Sequence, residues 1–200
     1  MSDVEHIKRM AEQIRHTTNC AALERMVAEH VKSVLDLIDA AVLREAKKLS
    51  EALPLMSLPS PDPVSIVKWL GKLILKDVYP DLESAVKYAI QIVQLASAVA
   101  EVVAAVAYAA EQLAACAILI PAEVTGAVIN DLTKNVNVLV DAALSKVVVT
   151  HTAMAGIVPA IANVPFDTSS PANFIASAPT TLDSVKTLVV DHINTPIPPP

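Results

Sequence analysis

Residues 81–119 read DLESAVKYAIQIVQLASAVAEVVAAVAYAAEQLAACAIL, a stretch without glycine or proline. Its few polar side chains recur mostly at steps of three or four, the spacing of one stripe along an α-helix. They are Ser84, Lys87, Gln91, Gln94, Ser97, Glu101, Tyr108, Glu111 and Gln112. At ~1.5 Å per residue such a helix is about 58 Å long. The stretch therefore predicts a long helix whose apolar surface must be covered on nearly every side.

A second long helix is predicted over residues 122–150, directly after Ile120-Pro121. Its polar stripe also has a helical period and consists of Glu123, Asn130, Lys134, Asn137, Asp141 and Ser145. A single proline between two long helices allows either an antiparallel hairpin or a sharp kink. Because the hairpin buries more apolar surface, the sequence favours a helical hairpin over residues 81–150.

The N-terminal segment, residues 1–53, has the pattern of a charged amphipathic helix. It holds 17 of the chain's charged side chains, and Ser2 with Glu5 forms a capping box at its start. One face is apolar, at Ile7, Met10, Ile14, Leu23, Val27, Val31, Val34, Ile38, Val42, Leu49 and Leu53. Thr17-Thr18-Asn19 interrupts this face, so we expect one helix over about 3–52, or two with a break near Asn19.

Residues 54–62 contain three of the chain's prolines in one short stretch and are predicted to be a linker, because proline removes backbone donors and disfavours helix. A short helix is predicted over 63–78, with an apolar face opposite three lysines. Trp69, the one tryptophan of the chain, lies in this helix. Such a helix either packs into the core or, less conventionally, lies on a membrane surface.

The C-terminal segment, residues 165–200, is predicted to be an extended proline-rich arm with one short helix near 181–193. Ordering a backbone costs ~1–2 kcal/mol per residue. Phe166, Phe174 and one face of a short helix offer little apolar surface to offset that cost. We therefore expect the arm to be mobile in a free subunit and to become ordered against a neighbouring one.

Together these patterns predict an all-α protein. It combines a long amphipathic N-terminal helix, a long apolar helical hairpin and an extended proline-rich C-terminal arm. The predicted division is 1–53 for the charged helix, 54–62 for the linker, 63–164 for the apolar bundle and 165–200 for the arm.

Composition narrows the classes of function. The net charge is −6 and no basic cluster is present, which argues against a nucleic-acid partner. Aromatic residues are only 3% of the chain, so a ligand pocket with aromatic walls is not expected. Cys20 and Cys116 do not form a CxxC pair, and we expect both to be small buried hydrophobic residues.

Catalytic and metal-binding motifs are not evident in the sequence. With three glycines in total, phosphate-cradling and dinucleotide-binding loops are nearly excluded. His16 and Cys20 are four residues apart, but two ligands do not make a metal site. Glu101 and Glu111 are ~15 Å apart along a helix, too far to act on one bond. We expect neither an enzyme nor a cofactor, metal or small-molecule substrate.

The sequence favours a structural subunit of a large oligomeric assembly, with a bacteriophage particle (tail, baseplate, neck or internal component) as the preferred assembly. Its partners would be copies of itself or other subunits. A membrane-active protein, such as a pore-former or an ejected virion protein, is the first alternative, and a soluble helical adaptor is the second. The residues expected at interfaces are Ala100, Ala104, Ala105, Trp69, Phe166 and Phe174.

The first residues are charged and have no apolar core of a signal peptide. We therefore expect synthesis in the cytoplasm without export, followed by incorporation into a virion or another large particle. A stable membrane span is less favoured, because residues 102–120 contain Glu111 and a charge within a span costs at least ~2.5 kcal/mol.

Overall fold

The computed structural model describes residues 3–50, 79–118 and 126–194, with the backbone alone at 39, 41–50 and 128. These residues contain five α-helices, one 3₁₀ helix (Pro159–Asn163) and no strand, which confirms the all-α prediction. The helices are α1 (Asp3–His16), α2 (Cys20–Ser50), α3 (Tyr79–Ala115), α4 (Gly126–Ile157) and α5 (Pro171–Asn194). The predicted linker 54–62, helix 63–78 with Trp69, and proline tail 195–200 lie outside the described residues.

The N-terminal helix is divided near Asn19, as one of the two alternatives predicted. The Asn19 side chain accepts a hydrogen bond from the Ala22 amide at 3.0 Å and so caps α2. The predicted apolar face is buried wherever its side chains are described. Ile7, Met10, Ile14, Leu23, Val27, Val31, Val34 and Ile38 are each no more than 2% exposed.

Helices α3 and α4 pack as the predicted hairpin. Their polar stripes face solvent: every described member is exposed except Glu101, which is half-buried. Helix α3 ends at a left-handed residue, Ala117, whose φ is 55°. The Ile118 amide donates to the Leu113 carbonyl at 3.1 Å there and closes the last turn.

Helix α4 continues to Ile157, beyond the end predicted near residue 150. Gly156 lies in this extension, but one glycine costs only about 1 kcal/mol relative to alanine in a helix interior. Burial of Met154 inside the last turns offsets that cost, since its side chain is fully covered. Pro159 follows and prevents the α-helix from continuing.

The short helix predicted near 181–193 is present, but it begins about ten residues earlier, so the predicted extended arm is wrong for residues 171–180, which belong to α5. This helix begins at Ser170, whose hydroxyl accepts a hydrogen bond from the Asn173 amide at 3.1 Å, and Pro171 occupies its first turn. Its apolar face is buried within the same chain, at Phe174, Ala178, Val185 and Val189, each 0% exposed. That burial within the chain offsets the ordering cost, so a neighbouring subunit is not required for α5.

The described residues belong to two compact units. The first contains 3–50, 92–118 and 126–140, and the second contains 79–91 and 141–194. In the first unit α1 and α2 supply a large share of the core together with apolar residues of α3 and α4. In the second, Phe174, Met154, Ile161 and Leu82 are among the fully buried side chains. The four-part division predicted from the sequence stays a prediction.

Candidate functional site

Exposed small side chains form a strip on α3 in the first unit. We call this strip the alanine face and define it as Ala100, Ala104, Ala107, Ala114 and Ala115, all exposed; the exposed Glu111 interrupts it between Ala107 and Ala114. Tyr108, beside the strip, is 45% exposed. Alanine side chains are short, so another helix could approach the backbone of α3 closely along this strip.

The six residues predicted at interfaces occupy different environments. Ala100 and Ala104 are exposed, whereas Ala105 is 0% exposed inside the first unit. Phe166 and Phe174 are buried in the second unit, where their ring centroids are 6.2 Å apart. Trp69 lies outside the described residues. An interface role for these residues stays a prediction, and Ala100 and Ala104 are the members with the accessible surface it needs.

The one charged residue of α3 between Lys87 and Glu111 is Glu101, and it is paired within the chain. Its carboxylate lies 3.2 Å from the Lys8 ammonium of α1, with both side chains roughly half exposed. The sequence predicts this carboxylate only as a member of the polar stripe of α3. The sequence could not reveal Lys8 as its partner, because that pairing depends on how α1 lies against α3.

Cys20 and Cys116 form a disulfide, with a Cα–Cα distance of 6.4 Å and a sequence separation of 96. The expectation of two free, buried thiols is therefore wrong, and both residues are half-buried. The bond joins the start of α2 to the C-terminal end of α3. Lys8 pairs with Glu101, and Cys20, further along the chain, pairs with Cys116. Because the two pairs follow the same order along both segments, α1 runs parallel to α3.

Polar side chains connect α1 to α2 near the break between them. The His30 imidazole Nε2 lies 3.0 Å from the Gln13 side-chain oxygen, and the Thr17 hydroxyl donates to the Gln13 carbonyl at 2.7 Å. Burial lowers the pKa of His30 below its usual value, Glu29 raises it, and His6 lowers it further. This cluster fixes the angle at which α2 leaves α1.

A shallow cavity of about 370 Å³ in the second unit is lined by His151, Phe166 and their neighbours. His151 is 8% exposed, and its Nε2–H donates to the Val164 carbonyl at 3.0 Å. Its ring stands edge-on to Phe166, with centroids 5.4 Å apart. The imidazole thus holds the segment after α4 against that helix, a role that satisfies its buried donor. In the sequence, the only sign that His151 holds this segment is its position directly after the helix predicted over residues 122–150.

Three further groups have shifted pKa values, each for a local reason. A 2.6 Å hydrogen bond from Lys87 lowers the pKa of Glu83, one helical turn earlier. Hydrogen bonds from Ser169 lower the pKa of Asp167 just before α5. Burial, followed by the charges of Glu83 and Asp183, raises the pKa of Tyr79. The contact between Lys87 and Glu83 lies on the surface of α3, and the contacts between Ser169 and Asp167 lie just before the start of α5.

Over residues 3–50, 79–118 and 126–194 the structure contains no group of three or more His, Cys, Asp or Glu side chains that could hold a metal ion. Two stretches of helix, Tyr79–Ala115 and Ile129–Ile157, are long and apolar enough to cross a membrane by length and composition. No protein-family model, curated protein or solved structure matches the chain.

Proposed function

We propose that the chain is a non-enzymatic structural subunit of a large oligomeric assembly, in which copies of the chain contact each other through the alanine face. The observation that carries this proposal is the exposure of Ala100 and Ala104 on a helix whose opposite side is buried. Solvent-exposed helix surface is ordinarily rich in charged residues, whereas alanine gains little from contact with water. A helix from a second copy would cover the strip at short range.

The size of the alanine face favours repeated contacts over an isolated dimer. Residues 100–115 of a helix extend over about 24 Å and a helix is about 10 Å wide, so the face covers on the order of 240 Å². A stable interface buries about 800 Å² on each partner. A single contact through the alanine face is therefore weak. In an assembly, each subunit makes several contacts at once, and together these supply the binding free energy that one contact lacks.

A bacteriophage particle is the assembly that we favour, as a tail, baseplate, neck or internal component. The Cys20–Cys116 disulfide supports a particle, because disulfides persist at virion surfaces and in other oxidising environments and are rare in the reducing cytosol. Synthesis in the cytoplasm and later oxidation in a particle are both compatible with this bond.

The test is the size of the purified chain without detergent, measured by analytical ultracentrifugation. We expect the wild-type protein to form a defined oligomer and Ala104→Glu to dissociate it, because the substitution places a charge in the middle of the alanine face. Gln91→Glu is the matched control: it adds the same charge at an exposed position of the same helix. A wild-type monomer over the whole concentration range would reject the proposal and favour the soluble adaptor.

A membrane-active protein is the second candidate, favoured by the two long apolar helices. In α3, residues 88–110 contain Glu101 as their only charged residue and would extend over about 35 Å. The hydrocarbon core of a bilayer is about 30 Å thick. Release of dye from liposomes distinguishes this candidate from the assembly subunit, which should leave liposomes intact.

A further inference from the structure

In the first unit α1 and the start of α2 are linked to the end region of α3 by the Lys8–Glu101 ion pair and the Cys20–Cys116 disulfide. We use N-terminal cover for residues 3–38, whose inner side chains are buried and whose outer face carries most of the charge of the segment. Inner side chains of α3 in the same unit are also buried, including Ala98, Val102, Ala105 and Ala109, each 0% exposed. Both sets of buried side chains lie in the same compact unit, and α3 is long and apolar enough to cross a bilayer.

Two specific links hold the cover to α3. The Lys8–Glu101 ion pair is about half exposed, and exposed ion pairs contribute little to stability because water screens them. The Cys20–Cys116 disulfide is the covalent link, at the far end of the parallel run of α1 and α3. Apolar packing supplies the remaining attraction, and the same apolar groups are equally favourable against lipid.

Both cysteines are only half-buried, so the bond lies close to the protein surface. Each lies at a helix end, Cys20 at the first residue of α2 and Cys116 directly after α3. Breaking the bond therefore interrupts no helical hydrogen bonds. It removes the covalent link between the cover and α3 and leaves their secondary structure intact.

We propose that the Cys20–Cys116 disulfide is a redox-sensitive latch that keeps the N-terminal cover on α3, and that its reduction lets the cover open and α3 enter a lipid bilayer. A dithiol reductant supplies the two electrons. One of its thiolates attacks a sulfur of the disulfide and displaces the other cysteine as a thiolate; its second thiol then resolves the mixed disulfide. Cys20 and Cys116 end as thiols and the reductant as a disulfide. This inference rests on the membrane-active candidate.

The experiment compares the oxidised full chain, the same chain reduced with dithiothreitol, and the double variant Cys20→Ser/Cys116→Ser. Hydrogen exchange is measured over residues 3–38 and 92–115, and dye release from phosphatidylcholine vesicles is measured in parallel. We expect reduction and the double variant to raise exchange in both segments by at least about 30-fold, as for loss of a typical disulfide. Only these two forms should release dye.

Exchange in α5, within the second unit, is the folding control and should not change on reduction. Dithiothreitol should also have no effect on the double variant, which excludes an action of the reductant on the vesicles.

The outcomes separate the latch from the membrane-active candidate. Equal exchange in oxidised and reduced protein, or loss of protection in α5 on reduction, overturns the latch. If the oxidised protein releases dye as fast as the reduced protein does, the latch is overturned. The membrane-active candidate is not contradicted by that result. If the cover opens and no form releases dye, the membrane-active candidate fails, and this inference fails with it.

Discussion

Ala104 and Ala105 are consecutive residues of α3 with opposite environments. Ala105 is 0% exposed in the core of the first unit, whereas Ala104 lies in solvent on the alanine face. The helical period explains the difference, since one step along a helix rotates the side chain by about 100°. A sequence of repeated alanines does not show which member faces inward, so the two could be distinguished only after the covering helices were placed.

Leucine at these two positions should therefore have different effects. We expect Ala105→Leu to lower the free energy of unfolding by ~1–3 kcal/mol, because extra methylene groups overpack a filled core. Ala104→Leu should change it by less than ~0.5 kcal/mol, as a typical surface substitution does. Urea denaturation followed by circular dichroism at a concentration that keeps the protein monomeric measures both. Equal effects of the two substitutions would contradict the burial of Ala105.

His30 gives the stability of the first unit a dependence on pH. Burial lowers its pKa in the folded chain below the usual 6.5, so the unfolded chain binds the proton more tightly. The free energy of unfolding should therefore fall as the pH drops below about 6.5, and this loss should be absent at higher pH. Urea denaturation at about pH 7.5 and about pH 5.5 measures the change.

Replacing His30 by glutamine should reduce the difference between the two pH values, because the amide does not titrate and can still donate to Gln13. His16→Gln is the control, since His16 is exposed at the end of α1. If His16→Gln reduces the pH dependence as much as His30→Gln, the shift at His30 is not its cause.

The sequence around the start of α5 contains signals both for and against a helix. Ser170-Pro171 is a helix-start signal, a capping serine followed by proline in the first turn, and it is present in the sequence. The residues around it are rich in serine, proline and alanine, a composition that predicts a loop. Pro179 also disfavours a helix, because proline inside a helix removes a hydrogen bond and clashes with the preceding turn. The buried side of α5 outweighs this local cost.

Pro179→Ala should accordingly stabilise the protein. Pro179 lies on the exposed side of α5, so alanine restores the helical hydrogen bond without disturbing the core. Because proline in a helix interior is about 3 kcal/mol less favourable than alanine, we expect a gain of roughly 1–3 kcal/mol in the free energy of unfolding. Pro171→Ala is the matched control and should gain little, since proline is well suited to a first helical turn. A gain of the same size at both positions would argue against a helix that begins at residue 171.

The long helices α1 to α4 could be predicted because hydrophobic period, polar stripes and prolines all agreed along each of them. Contacts between distant segments could not be predicted in this way. The partner of Glu101 and the pairing of Cys20 with Cys116 depend on the parallel arrangement of α1 and α3, which no local pattern encodes. The same holds for the alanine face. Its position within α3 was predictable from the local sequence, but its exposure was not, because exposure depends on which other helices pack on α3.

At the scale of the whole molecule, the Cys20–Cys116 disulfide links two residues that are 96 positions apart in sequence. In the loop-entropy description, a crosslink of this span stabilises the folded state by about 4–5 kcal/mol, because it restricts the unfolded chain. That contribution is a large fraction of the 5–15 kcal/mol by which a typical domain is stable. The double variant Cys20→Ser/Cys116→Ser should therefore lose a corresponding amount of unfolding free energy in the first unit, which contains both cysteines, relative to the oxidised protein. Urea titrations of the oxidised protein, the reduced protein and the variant measure this loss, and the last two should agree because neither has the crosslink. A variant as stable as the oxidised protein would show that the bond constrains neither the unfolded chain nor the packing of α1 and α2 on α3.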